Sequence, residues 1–106
     1  MADDDVTVTV TDNPGESRYE ATLGDAVAGV AQYMRSSQVV AFTHTEVDLA
    51  YEGRGVAGAL ARTALDAARE EGLKVVPVCT FFASYLRKHP EYQDLVYEKE
   101  KDGDRA

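Results

Sequence analysis

The segment Tyr51-Glu52-Gly53-Arg54-Gly55-Val56-Ala57-Gly58 concentrates glycine immediately ahead of an apolar stripe of helical period. Glycine lets a backbone approach a ligand closely. The first turn of a helix offers unpaired N–H groups and a partial positive charge. A strand, a glycine turn and a helix start in that order form an anion site, most often for phosphate. Gly53-x-Gly55-x-x-Gly58 also matches the dinucleotide fingerprint, which further requires an acid at the end of the next strand and a second mononucleotide unit. The next strand ends Val76-Pro77-Val78-Cys79, without an acid, and no second unit follows. The dinucleotide reading therefore fails. A plain glycine-rich loop before an alanine-rich helix remains the competing reading.

Four further groups carry titratable or nucleophilic chemistry. Cys79 stands where a short strand ends and a helix begins, with Thr80 placed to cap that helix. A helix N-terminus favours the thiolate, so Cys79 is a candidate nucleophile or a wall of a binding pocket. An inert buried cysteine is the alternative. His44 and Glu46 share one strand face, as a base and the carboxylate that orients it or as a merely satisfied pair. Tyr85 lies on an amphipathic helix, where a tyrosine is more often core than chemistry. Arg87, Lys88 and His89 cluster at that helix's end and complement its dipole or meet a phosphate.

The elements that must position these groups follow from period and punctuation. Val6, Val8 and Val10 alternate with threonines, which makes a strand. Asp12-Asn13-Pro14-Gly15 is turn chemistry. Strands follow at Arg18–Leu23, at Ala26–Met34 with a bulge expected at Gly29, and at Gln38–Val47. In the last of these, strict alternation puts Val39, Ala41, Thr43, Thr45 and Val47 on one face and Val40, Phe42, His44 and Glu46 on the other. From Val56 to Glu71 the apolar residues fall at helical spacing, with Arg62, Asp66, Arg69 and Glu70 opposite and Gly72 as the stop. Leu73–Val78 is a short strand containing Pro77, a residue suited to an edge or to a disrupted pairing. Phe81–Lys88 is a second helix, ended before Pro90, and Glu98–Ala106 is a charged tail. The order β-β-β-β-α-β-α implies an α/β (α+β) domain with a mixed, mostly antiparallel five-stranded sheet. Its fourth and fifth strands are parallel, joined by a right-handed crossover, and a C-terminal helix follows.

With 106 residues the chain is one domain, with an ordered core expected over about residues 5–97. The net charge of −8 gathers largely in Asp3, Asp4, Asp5, Asp12 and Glu16, ahead of any base. That acidity argues against nucleic acid as a partner, since phosphate binding needs a basic face. No apolar run is long enough to span a bilayer, and Met1–Asp5 lacks an apolar signal region. A single cysteine makes no internal disulfide, so a cytoplasmic address is expected. No metal site is expected.

Together these segments resemble the GNAT acetyltransferases, whose pyrophosphate turn runs Arg/Gln-x-x-Gly-x-Gly/Ala after the fourth strand. Glu52-x-x-Gly55-x-Ala57 fits that register except at its first position, which leaves Arg54 to supply positive charge. His44-Thr45-Glu46-Val47, Pro77-Val78-Cys79 and Tyr85-Leu86-Arg87-Lys88-His89-Pro90-Glu91-Tyr92 extend the likeness to the short YjdJ-type branch, over about Arg18 to Val96. The resemblance implies acetyl-CoA as donor and an amine as acceptor. It also implies coenzyme binding by Val47, Gly53, Arg54, Gly55, Val56 and Ala57, and catalytic roles for Cys79, His44 and Tyr85. The family fold splays its fourth and fifth strands to admit the thioester. Family members usually insert helices between the first two strands; here only Asn13–Ser17 intervenes, so the acceptor side is expected to be open. That suits an exposed amine on a peptide or protein, or a site completed by a second subunit, in a monomer or homodimer. A non-catalytic acyl-CoA-binding module is the alternative.

Overall fold

The computed structural model describes residues 8–97. Val6 and Thr7 of the first expected strand, and the tail from Glu98, lie outside the described residues. Five strands, β1 (Val8–Asn13), β2 (Arg18–Leu23), β3 (Ala26–Arg35), β4 (Val39–Val47) and β5 (Lys74–Pro77), lie side by side in chain order. β1 to β4 form an antiparallel meander, and β5 runs parallel to β4. The crossover between them is the helix α1 (Val56–Glu70), and a second helix, α2 (Thr80–Lys88), follows β5. This is the mixed sheet expected from the pattern.

Turn chemistry sets the hairpins. Gly24 takes a φ of 63° between β2 and β3, a conformation cheap only for glycine. Between β3 and β4 the Ser36 hydroxyl accepts the N–H groups of Gln38 and Val39.

One face of the sheet carries the core. Tyr19, Ala21, Ala31, Tyr33, Val40, Phe42 and Val75 are buried against Leu60, Ala61, Ala64, Leu65 and Ala68 of α1. Small residues on both sides of this contact let the helix lie close to the sheet. Burying a leucine such as Leu60 or Leu65 contributes roughly 1.5–3 kcal/mol. Phe82 of α2 stacks flat on Phe42, ring centroids 4.2 Å apart, and so fastens α2 to β4.

The segment Pro90–Leu95 clamps the far end. Tyr92 donates to Asp66 at 2.8 Å, and Arg69 binds both carboxylate oxygens of Asp94 while donating to the Glu91 carbonyl. Tyr97 N–H then bonds the Val75 carbonyl at 2.9 Å. No helix among the described residues is long and apolar enough to cross a membrane.

Buried phenols tie this core to pH. Burial first, and Asp12 second, push Tyr19 up to about 12 from 10.0. Burial and the bond to Asp66 push Tyr92 up to about 12 as well. Tyr33, buried and donating to Asp12 at 2.6 Å, is raised further. A phenol raised in the folded state stabilises fully below its unfolded value, and that contribution disappears as pH climbs through the folded value. Unfolding free energy should therefore hold level up to about pH 10 and fall between pH 10 and 12. Urea titrations across that window check it, and a flat profile would refute it.

Candidate active site at the parted strands

The site originates in an irregularity of β4. Tyr33 pairs with Phe42 while Gln32 pairs with His44, so Thr43 is an extra residue opposite the β3 ladder. A bulge of this kind reverses which side chains face the core. Phe42 faces the helices, yet so does Thr45, which pairs with the fully buried Ala31. Val47 also packs on the core. His44 and Glu46 are turned to the open face, where both are exposed and lie 3.1 Å apart. The expected grouping of His44 and Glu46 with Val40 and Phe42 is thus corrected: strict period-two alternation ends at the bulge.

At the same level β5 leaves β4. Parallel pairing covers Val39 to Phe42 against Lys74 to Pro77 and stops there. Lys74 N–H bonds Gln38 on the β4 side, and the Val75 carbonyl accepts Tyr97 N–H on the other. Alternation therefore aims the nitrogen of Pro77 away from β4, where a missing donor costs the β4–β5 ladder nothing. Val78 N–H bonds back to the Val76 carbonyl at 3.1 Å, a three-residue turn centred on Pro77. Beyond the turn, Cys79 N–H reaches the Phe42 carbonyl at 2.8 Å. Edge position and splay, the two readings of Pro77, hold together here. From Thr43 to Val47 β4 has no partner on this side among the described residues, so alternate residues present free backbone groups to the gap.

Cys79 is itself the N-cap of α2, and Thr80 is the first helical residue, which corrects the expected capping role. Its Sγ lies 3.4 Å from Thr45 Oγ1. Burial pushes the thiol up, but the Thr45 hydroxyl and then the amides of Phe82 and Phe81 outweigh it, holding Cys79 below its ordinary value. Those amides act as the positive start of the helix; they do not make cap hydrogen bonds to the thiol.

The glycine segment lies beside the parted strands. Asp48 accepts Ala50 N–H at 2.9 Å and caps a short turn at Leu49–Tyr51. Gly55, with φ 79°, is the N-cap of α1 and offers no side chain to its amides. The first amides of α1, at Val56, Ala57 and Gly58, have no helical partner four residues back. They open on a cleft of about 280 Å³ lined by Val47, Tyr51, Glu52, Gly53, Gly55, Val56, Ala57 and Gly58. Val47 lines the cleft and Thr45 touches Cys79, so the two ends of the site are about 7 Å apart along β4.

Of the residues singled out from sequence, the structure gathers Val47, Gly53, Gly55, Val56 and Ala57 around this cleft. Arg54 is exposed and is not among the lining residues, whereas Glu52 is. His44 faces away from Cys79 across the strand. Tyr85 stacks on His89 at 3.9 Å and packs near Phe81 and Tyr92, and its hydroxyl makes no hydrogen bond among the described residues. Arg87 and Lys88 lie in the last turn of α2, and His89 Nδ1 is 2.8 Å from the Tyr85 carbonyl. Thr45 was not singled out, because its contact with Cys79 depends on the bulge. The bulge expected at Gly29 falls one residue earlier: Ala21 pairs with Gly29 and Thr22 with Val27, so Ala28 is the extra residue. A Cβ at Gly29 would sit 2.9 Å from the Glu46 carbonyl oxygen and 3.0 Å from Val56 Cγ1, so glycine lets α1 start against β3 beside β4.

Comparison with known proteins agrees with this geometry. The family model described as GCN5-related N-acetyl-transferase matches residues 18–95. Protein NATD1 of Homo sapiens is 43% identical over 58 residues, covering 55% of this chain and 51% of that protein. Protein NATD1 of Danio rerio is 36% identical over 61 residues, 56% of each. The chain thus spans about half the length of these relatives. The solution structure of a GCN5-like protein from Staphylococcus aureus superposes with a TM-score of 0.60 at 21% identity, covering 84% of this chain and 87% of that one; it shares the fold.

Two glycines should behave oppositely on substitution. Gly29→Ala has no room and should cost about 1–3 kcal/mol. Gly58→Ala, helical with nothing within 4 Å of the new methyl, should gain up to about 1 kcal/mol. Urea unfolding of both variants measures the contrast.

Proposed function

This chain belongs to the GCN5-related N-acetyltransferase family, and from that premise we propose that it transfers an acetyl group from acetyl-CoA to an amine. The observation that carries the proposal is the uncapped start of α1, opening on a cleft that continues along the parted edge of β4 to Cys79.

The residues present suit the donor. Amides of Gly55, Val56 and Ala57 hold the pyrophosphate, and Gly53 leaves space for it. Free backbone groups of β4 near Val47 hold the pantetheine arm, as one strand would hold another. Arg54, exposed beside the turn, attracts the anion without lining its seat. The thioester then arrives beside Cys79. The Cys79 thiolate attacks its carbonyl, forming a C–S bond to the protein while the coenzyme leaves as a thiol after taking a proton from solvent. The acceptor nitrogen next attacks the acetyl-cysteine; the new C–S bond breaks, and the proton lost by nitrogen returns to the Cys79 sulfur. The His44–Glu46 pair, on the open face, is placed to accept a proton from an approaching ammonium. Tyr85 keeps the packing role of its aromatic stack. The acceptor approaches from the face without helices, which suits an exposed amine. The lone, partly buried Cys79 suits a reducing compartment.

A second reading, an acyl-CoA-binding module without turnover, is favoured by one observation. Glu52 lines the cleft where the family motif carries a cation or an amide, and a carboxylate beside a pyrophosphate weakens binding.

Acetyl-CoA should raise the melting temperature, and no calorimetric affinity at millimolar concentration would end both readings. Glu52→Gln should tighten binding about two- to fivefold, the effect of one unfavourable charge at a helix start. Release of free CoA with a panel of amines separates enzyme from module. If Cys79→Ala keeps the full transfer rate, direct attack by the amine replaces the covalent route.

A further inference from the structure

We propose that Thr45 is the positioning residue of Cys79: its hydroxyl accepts from the thiol and, once the proton has left to solvent, turns to donate to the thiolate. This inference concerns the free protein and deepens the covalent route without depending on coenzyme binding.

Three constraints hold the sulfur beside that hydroxyl. Cys79 N–H is bonded to Phe42 on β4, so the cysteine backbone is fixed to the strand that bears Thr45. Cys79 caps α2, and Phe82 of α2 is stacked on Phe42, so the helix cannot slide away. The extra residue at Thr43 brings Thr45 to the helix-facing side; without it Thr45 would face the other way. The resulting separation of 3.4 Å is a sulfur–oxygen hydrogen bond.

The charges nearby leave this task to Thr45. On β4, His44 and Glu46 face the open side. On α2, Tyr85 is stacked on His89, and Arg87 and Lys88 lie in the last turn, remote from the N-cap. On β5, Lys74 reaches the Asp94 carbonyl. Glu52 and Arg54, before α1, are exposed. Among the described residues no ionised side chain is in contact with Cys79, so neutral donors, the Thr45 hydroxyl ahead of the first amides of α2, do the work an imidazolium does elsewhere.

The test is the pH dependence of Cys79 alkylation by iodoacetamide, in which the thiolate forms a C–S bond and iodide departs. The probe requires no coenzyme, so its outcome is separate from that of the proposed function. The wild-type midpoint should lie below the ordinary thiol value. Thr45→Val, nearly the same shape, should raise it by about one unit, lowering the rate at neutral pH about tenfold. Thr45→Ser should restore it. An unmoved midpoint in Thr45→Val, or Thr45→Ser behaving like Thr45→Val, overturns the proposal. So does a wild-type midpoint at or above the ordinary value, which decides the matter even if the valine variant does not fold. In acetyl transfer, Thr45→Val should lower kcat at neutral pH with KM for acetyl-CoA unchanged.

Discussion

Two adjacent strands cannot stay hydrogen-bonded when one gains a residue and the other turns away, and this local failure organises the molecule. β4 gains Thr43, and β5 ends at the turn centred on Pro77. Pairing stops at Phe42 and Pro77, where the chain of β5 keeps one last bond, from Cys79 to Phe42. An unpaired strand edge inside a folded domain is costly unless something else satisfies it. Here the free edge of β4 is bounded by Cys79, the residue at which the gap closes.

The helices on either side of the gap point their positive ends toward it. α1 begins at Gly55 and α2 at Cys79, and neither N-cap supplies a side-chain hydrogen bond to its own helix. An uncapped helix start forgoes about 1 kcal/mol that serine or aspartate would contribute. One start faces a cleft of about 280 Å³, and the other stands at a thiol held below its ordinary value. The rest of the fold holds these ends still. Gly29 lets Val56 meet β3, Phe42 and Phe82 fasten α2, and Tyr92, Arg69 and Asp94 anchor the far end of α1.

The chain achieves this with one layer of helices. The opposite face of the sheet has no helix among the described residues, and His44 and Glu46 stand exposed on it. The cleft side is therefore built largely from backbone and glycine, while the open face carries few side chains able to titrate.

Sequence alone determined what depends on neighbours along the chain. Period two in the strands, period 3.6 in α1, and glycine or serine at the turns placed the described strands and both α-helices within a residue or two, but not the short helical turns at Leu49–Tyr51 and Pro90–Leu95. The glycine turn at Gly53 and Gly55 and the helix start at Val56 were legible because a helix start needs only local geometry. Tertiary structure decided what depends on partners in space. The bulge at Thr43 belongs to the register of β4 against β3, and nothing in Val39–Val47 announces it. That one residue turned His44 and Glu46 outward, brought Thr45 to Cys79, and made a hydroxyl rather than an imidazole the neighbour of the sulfur. Likewise Glu52 faces the cleft and Arg54 does not, since side-chain direction in a glycine turn follows backbone angles that residue types leave free.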